Sequence, residues 1–217
     1  MKKTESRCRL VLIAPDIKDA KAQAQAMADA LKGGDVASVI VPQYDLDDAA
    51  FQVHAELLVP IIQEAGAAAL ISGDTRVAGR ARADGLHIAN AAEALGEAME
   101  KFSPKLIVGG GNAMDRHHAL EIGEVRPDYI FFGKLDGDIK PEAHSKNLAL
   151  GEWWSSMVAI PCIVMGGTDP ASALEVAECG AEFVALRLAV FADPVQAPSV
   201  VAAVNALLDE KAPRFED

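Results

Sequence analysis

The sequence predicts a single domain with the (β/α)8 TIM-barrel fold, spanning residues 1–217. Eight short apolar runs rich in β-branched residues alternate with longer stretches of helical period. No Pro/Ser-rich linker and no block of like charge interrupts this alternation, and a chain of 217 residues suits one α/β barrel. A doubly wound parallel sheet is the alternative, but no GxGxxG motif follows the first predicted strand.

The apolar runs are too short for buried helices and rich enough in Val and Ile for buried strands. The predicted strands comprise residues 10–13, 36–41, 68–71, 85–88, 106–108, 129–132, 162–165 and 183–186.

The stretches between the strands carry apolar residues at helical spacing. Ala20, Ala24 and Met27 fall on one stripe of the first such stretch, for example. The predicted helices comprise residues 19–31, 49–65, 91–99, 117–122, 153–158, 172–179 and 200–208. Residues 74–84 have room only for a short helix or a helical loop, and residues 1–8 or so are expected to form a flexible N-terminal extension.

Composition and charge restrict the class of partner. Apolar residues make up 51% of the chain and charged residues 24%, which provides for a large core and excludes a disordered chain. The net charge of −12 argues against nucleic acid or an anionic membrane as the main partner. We therefore expect a small-molecule ligand, with any anion held by local positive charge.

The three cysteines, Cys8, Cys162 and Cys179, have no CxxC spacing. Reduced structural thiols fit this spacing better than a disulfide framework or a zinc site. The basic N-terminus lacks a signal-type apolar segment, and no run approaches the ~18 apolar residues that span a bilayer. We expect a cytoplasmic protein.

Glycines follow the seventh predicted strand, and an arginine follows the eighth. Gly166-Gly167 would leave backbone N–H groups unpaired at the carboxyl end of one strand, with Arg187 at the tip of the next. Ligands of parallel α/β proteins bind at this end, so the combination predicts a phosphate-binding site. A tight turn that requires glycine dihedrals, and an ion pair between Arg187 and a carboxylate, are the alternatives.

Polar residues also follow two other predicted strands. Gly109 would let the backbone approach a ligand closely, and Asn112 offers a donor and an acceptor, although a flexible loop is an equal alternative. Asp74, shortly after the third strand, is a candidate either to hold Mg²⁺ or to cap a helix.

Two histidines and a lysine are the candidate catalytic residues. His117, near the start of the fifth helix, is either a general base or a surface residue, and His87 is either catalytic or a hydrogen-bonded core histidine. Lys140 lies in the charged loop of residues 134–142, which we expect to cover a site as a lid.

Taken in order, these strand ends resemble thiamine phosphate synthase and its thiazole tautomerase relatives. The resemblance covers nearly the whole chain, and it is carried by residues 83–88, 128–133, 161–167 and 180–186. It implies a (β/α)8 barrel, usually a homodimer. The synthase joins a hydroxymethylpyrimidine diphosphate to a thiazole phosphate and releases pyrophosphate, with Mg²⁺.

The resemblance also assigns roles to individual residues. Gly166, Gly167 and Arg187 would hold the thiazole phosphate, Asp74 a metal ion, and Lys140 the pyrophosphate.

The chain departs from the family where the diphosphate binds. The family's Gln-x-Arg-x-Lys aligns with Ile40, Pro42 and Tyr44, none of which can neutralise an anion, and a second metal carboxylate falls near Ala92. The Thr-x-Thr-Lys loop keeps Lys140 but loses both threonines. Because a diphosphate–Mg²⁺ leaving group needs several cations and about two carboxylates, we expect a divergent binder of a small phosphorylated heterocycle.

Two further functions remain open. One is a metal-free isomerase acting on a thiazole phosphate, with His117 or His87 as the proton carrier. The other is a non-enzymatic protein that binds a phosphorylated ligand.

Overall fold

The computed structural model describes residues 6–89, 92–111 and 113–215. In this part of the chain, eight parallel strands pair in sequence order, and the last pairs with the first to close a barrel. The strands are β2 (Arg9–Ile13), β3 (Ser38–Pro42), β4 (Ala68–Ser72), β5 (Gly85–Ile88), β6 (Ile107–Gly110), β7 (Ile130–Phe132), β8 (Cys162–Met165) and β9 (Phe183–Leu186). The predicted TIM barrel is confirmed.

Helices return the chain between the strands and cover the outside of the barrel. They are α1 (Ala20–Leu31), α2 (Asp48–Glu64), α3 (Thr75–Ala81), α4 (Ala92–Phe102), α5 (Arg116–Glu124), α6 (Ser145–Ser155), α7 (Ser172–Glu178), α8 (Leu188–Phe191) and α9 (Ala197–Lys211). None of the helices in the described ranges is long and apolar enough to cross a membrane.

Each strand buries both of its faces, which explains why the strands are continuous apolar runs in the sequence. In β2, Leu10 and Leu12 pack outward against the helices, and Val11 and Ile13 pack into the barrel interior. Successive side chains of a strand point to opposite faces, so one short run supplies both layers of the core.

The sequence located β5, β8 and β9 at their observed bounds, and the short return after β4 is the seven-residue helix α3. The prediction for α6 was wrong, because this helix begins at Ser145, eight residues before the predicted start. Its first turn is polar, and Leu150, Gly151 and Trp154 form the buried stripe that holds the helix on the barrel.

Of the expected N-terminal extension, the structure describes residues 6–8, and residues 1–5 lie outside the described part. Strand β1 (Ser6–Arg7) pairs antiparallel with β10 (Arg214–Phe215). The Arg7 guanidinium contacts the carboxylate of Asp209 at 2.6 Å, and Cys8 is fully buried. Both ends of the described chain are thus joined beside α9.

Candidate functional site

The Gly166-Gly167 turn lies at the carboxyl end of β8, as predicted, but its amides are not unpaired. The Gly166 N–H donates to the carbonyl oxygen of Ala185 at 2.9 Å. The Gly167 N–H donates to the hydroxyl oxygen of Ser172, also at 2.9 Å. The expectation of bare amides is therefore corrected, because β9 and the first turn of α7 already satisfy both donors.

The next two amides are bound by the loop that joins β7 to α6, residues 133–144, which we call the lid loop. The Thr168 N–H donates to the carbonyl oxygen of Lys140 at 2.8 Å, and the Asp169 N–H donates to that of Pro141 at 3.1 Å. A β-carbon at Gly167 would overlap the carbonyl oxygen of Pro141. Glycine is required at this position by the close approach of the lid loop.

Arg187, at the carboxyl end of β9, forms an ion pair with Asp138 of the lid loop. Its Nη2 lies 2.5 Å and its Nε 3.0 Å from Oδ1 of Asp138. The second oxygen of this carboxylate accepts the Leu188 N–H at 2.6 Å. The Asp138 side chain has no exposed surface, and that of Arg187 is 14% exposed. The ion-pair alternative for Arg187 is thus present in this structure.

The charge of Arg187 is fixed by this environment. Burial lowers the pKa of the guanidinium, but the hydrogen bond and the charge of Asp138 raise this pKa by a larger amount. The pKa of Arg187 therefore lies above its usual value. Tyr44 stands nearby, donates its hydroxyl to the carbonyl oxygen of Ala14 at 2.7 Å, and has a pKa raised to about 12 by burial. Arg187 is therefore a permanent cation of the site, matched by the buried carboxylate of Asp138.

A cavity of about 250 Å³ lies between the lid loop, the start of α6 and Gly166. Among its lining residues are Lys140, His144, Ser145 and Asn147. Nδ1 of His144 accepts the Lys146 N–H at 3.2 Å and so caps α6. The structure thus brings two predicted site residues, Lys140 and Gly166, to the same cavity.

His87 lies inside the barrel and is fully buried. Its Nδ1 is 2.9 Å from the hydroxyl of Tyr129, and its ring meets the edge of Phe131 at 5.2 Å between centroids. Its Nε2 has no hydrogen-bond partner among the described residues. Burial lowers the pKa of His87 to about 3, so the imidazole is neutral near pH 7. This environment matches a core histidine, and a catalytic role remains a prediction.

Gly109 explains how this histidine is held. A β-carbon at Gly109 would overlap the ring of Tyr129, so the glycine makes room for the ring that bonds His87. A ligand contact by Gly109 remains a prediction, and Asn112 lies outside the described residues.

His117 is placed on the outer surface, near the start of α5. Its side chain is 87% exposed, and its Nε2 lies 3.4 Å from Oε1 of Glu121 one turn later. This is the surface environment that the sequence also allowed, and its role as a base remains a prediction.

Asp74 caps a helix, and its carboxylate is bound to an arginine. Its Oδ1 accepts the Arg76 N–H at 2.9 Å, and its Oδ2 lies 2.5 Å from Nη2 of Arg76. The hydrogen bonds from Arg76 lower the pKa of Asp74 to about 2. The described residues contain no group of three His, Cys, Asp or Glu side chains that could hold a metal ion. In this structure a guanidinium occupies the carboxylate that the sequence assigned to Mg²⁺, and a metal role for Asp74 remains a prediction.

The sequence did not identify Asp138, the most buried charged residue of the site, as a site residue. A charge at the end of an apolar strand requires a partner, so Arg187 itself was the available signal. The partner could not be identified, because Asp138 lies 49 residues away in a loop without a regular pattern.

Comparison with known proteins points to one family. A family model described as "Thiamine monophosphate synthase" matches residues 10–190. Thiamine-phosphate synthase of Rhodospirillum centenum is 32% identical over 203 residues, which are 93% of this chain and 98% of the relative. That of Hyphomonas neptunium is 30% identical over 217 aligned positions, covering 95% of this chain and 96% of the relative.

Solved structures share the fold. Thiamine phosphate pyrophosphorylase from Pyrococcus furiosus superposes with a TM-score of 0.78 at 21% identity, covering 93% of this chain and 96% of that one. GGGPS from Thermoplasma volcanium gives a TM-score of 0.69 at 16% identity, covering 98% and 96%. At these identities the structures support the barrel fold alone.

Proposed function

Because the chain belongs to the thiamine monophosphate synthase family, we propose that it binds a small phosphorylated heterocycle, such as a thiazole phosphate, at the carboxyl ends of β8 and β9. One observation carries this proposal. The Arg187 guanidinium and the Leu188 N–H converge on the two oxygens of a single anion, the Asp138 carboxylate.

Such an arrangement suits a phosphate group. A guanidinium forms charge-assisted bonds with planar pairs of oxygens in carboxylates and phosphates alike. Gly166 and Gly167 keep the turn beneath these donors free of side chains, which leaves space for a ligand once the lid loop moves away. The role of these glycines is then to let the ligand approach the backbone closely, and Arg187 provides the positive charge that binds its phosphate.

Residues at the ends of two other strands, β3 and β4, argue against efficient pyrophosphate release. The reaction of the family releases an anion of high charge density, whose stabilisation requires several cations. The end of β3 offers Pro42, with Ile40 before it and Tyr44 after it, in place of polar and cationic side chains. The carboxylate of Asp74, the predicted metal ligand, is bound to Arg76. We therefore propose binding, without a synthase step at a biosynthetic rate.

A second candidate function is a metal-free isomerase acting on a thiazole phosphate. The unpartnered Nε2 of His87 favours it, because this nitrogen can accept a proton when Nδ1 donates to the Tyr129 hydroxyl. Burial lowers the pKa of His87 to about 3, which makes it a weak base and argues against this candidate. Replacing His87 by Gln, with His117→Gln as the comparison, tests this candidate through proton exchange at the thiazole carbon followed by NMR. Unchanged exchange in both variants excludes both histidines as the proton carrier.

Calorimetric titration with a thiazole phosphate in Mg²⁺-free buffer tests the proposed binding. We expect Arg187→Ala to weaken binding by about tenfold or more, because one charge-assisted contact is removed. Arg9→Ala is the matched control, since Arg9 also pairs with an aspartate, Asp35, but at the amino end of β2. Equal affinity in wild type and Arg187→Ala would contradict the proposal.

The homodimer and the cytoplasmic location remain predictions of the sequence. Sedimentation of the purified chain tests the first, and microscopy of a tagged copy tests the second.

A further inference from the structure

Building on the proposed phosphate binding, we infer that Asp138 is an intramolecular competitor of the ligand. Its carboxylate occupies the anion position on Arg187 until a phosphorylated ligand displaces it together with the lid loop. The structure thus corresponds to the closed, self-occupied state of the site.

Three residues of the lid loop contact groups at the ends of β8 and β9. Asp138 binds Arg187 and the Leu188 N–H, and the carbonyl oxygens of Lys140 and Pro141 accept the next two amides after the Gly-Gly turn. All three residues belong to one segment of four, residues 138–141, so their contacts break together when this segment moves.

While the lid loop is closed, the buried Arg187 guanidinium requires an anion beside it. Arg187 is 14% exposed, and a cation at that depth is unfavourable unless it is paired. A phosphate and the Asp138 carboxylate cannot share the position, because two anions in contact repel each other. A phosphate that enters must therefore drive Asp138 into solvent, where its charge is hydrated.

The lid loop is built to permit this movement. Its first residue, Gly133, has φ of 123°, a conformation that glycine adopts readily and other residues rarely do. Much of its surface faces solvent, and Ile139 is 80% exposed. Leu135 and Ala143 provide its apolar contacts. Polar contacts around Asp138 therefore contribute much of what holds the loop in place.

If only the open state binds the ligand, the apparent affinity for the ligand is the intrinsic affinity multiplied by the fraction of molecules that are open. Neutralising Asp138 removes the competitor and leaves Arg187 in need of an anion. We expect Asp138→Asn to bind inorganic phosphate and a thiazole phosphate about tenfold or more tightly than wild type. Asp138→Ala should do the same, and Asp136→Asn, an exposed acid of the same loop, should bind as wild type does.

The test is calorimetric titration of the full chain and these three variants in Mg²⁺-free buffer of constant ionic strength. Trypsin cleavage of wild type after Lys134, with and without thiazole phosphate, needs no variant, and we expect the ligand to accelerate it.

The outcomes separate the two proposals. If wild type binds the ligand and neither Asp138 variant binds it more tightly, the competitor role is overturned and the proposed function stands. The same conclusion follows if the ligand protects the lid loop from trypsin. No binding by any of the four proteins overturns both.

Discussion

The carbonyl oxygen of Pro141 lies against the α-carbon of Gly167, so closely that a β-carbon at this position would overlap it. This contact joins the lid loop to the turn after β8. The four described amides of that turn, from Gly166 to Asp169, all donate within the protein. The closed lid loop and the glycine are therefore two parts of one arrangement.

Replacing Gly167 by alanine should force the lid loop away from the turn. We expect faster trypsin cleavage after Lys134, because the Pro141 carbonyl cannot keep its position. Gly79→Ala is the control, since a β-carbon there would meet no described atom within 4 Å. Unchanged cleavage in Gly167→Ala would show that the lid loop tolerates the methyl group by a small local shift.

Tyr129→Phe should destabilise the fold, because it leaves Nδ1 of His87 buried without its partner at 2.9 Å. An unsatisfied buried polar group costs about 1–3 kcal/mol in the free energy of unfolding. Urea denaturation measures this difference. A loss below about 0.5 kcal/mol would mean that a water or another group replaces the hydroxyl.

His87 should make the fold sensitive to acid. Its pKa is about 3 in the folded state, against 6.5 as the ordinary value, so the unfolded chain binds an additional proton between these values. Stability from this residue is present above pH 6.5 and decreases as the pH falls toward 3.

Between pH 7 and pH 5, this difference contributes a loss of roughly 2 kcal/mol, at 1.36 kcal/mol per pH unit below 6.5. His87→Gln should lose that much less stability over the same interval, measured by urea denaturation at both pH values. An equal loss of stability between pH 7 and pH 5 in wild type and His87→Gln would assign the acid sensitivity to other groups.

Asp74→Asn should leave Mg²⁺ binding unchanged, because the wild-type carboxylate is already bound to Arg76. A small decrease in Tm is expected from the weakened cap of α3. Calorimetric titration with MgCl₂ compares the two proteins, with Asp48→Asn as the control. Submillimolar Mg²⁺ binding that is lost only in Asp74→Asn would restore the metal role.

The fold could be predicted from sequence because burial on both faces makes each strand of the barrel an apolar run. Strands β5, β8 and β9 were located at their observed bounds for this reason. Helix α6 was placed too late because its first turn is Ser-Lys-Asn, and helix α8, of four residues, is too short to show a period.

The position of the candidate site could also be predicted, since Gly166 and Arg187 follow adjacent strands of the barrel. Whether its hydrogen-bond donors are free or already paired could not be predicted. Whether an amide is free depends on the path of a distant loop, and neither Asp138 nor Pro141 has a local sequence pattern that specifies its contact.

The most direct test of the central claim is a crystal structure of the chain with a bound thiazole phosphate, grown without Mg²⁺. We predict phosphate oxygens within hydrogen-bonding distance of the Arg187 guanidinium, with Asp138 moved away from it. A thiazole phosphate bound elsewhere, with the Asp138–Arg187 pair intact, would contradict the account.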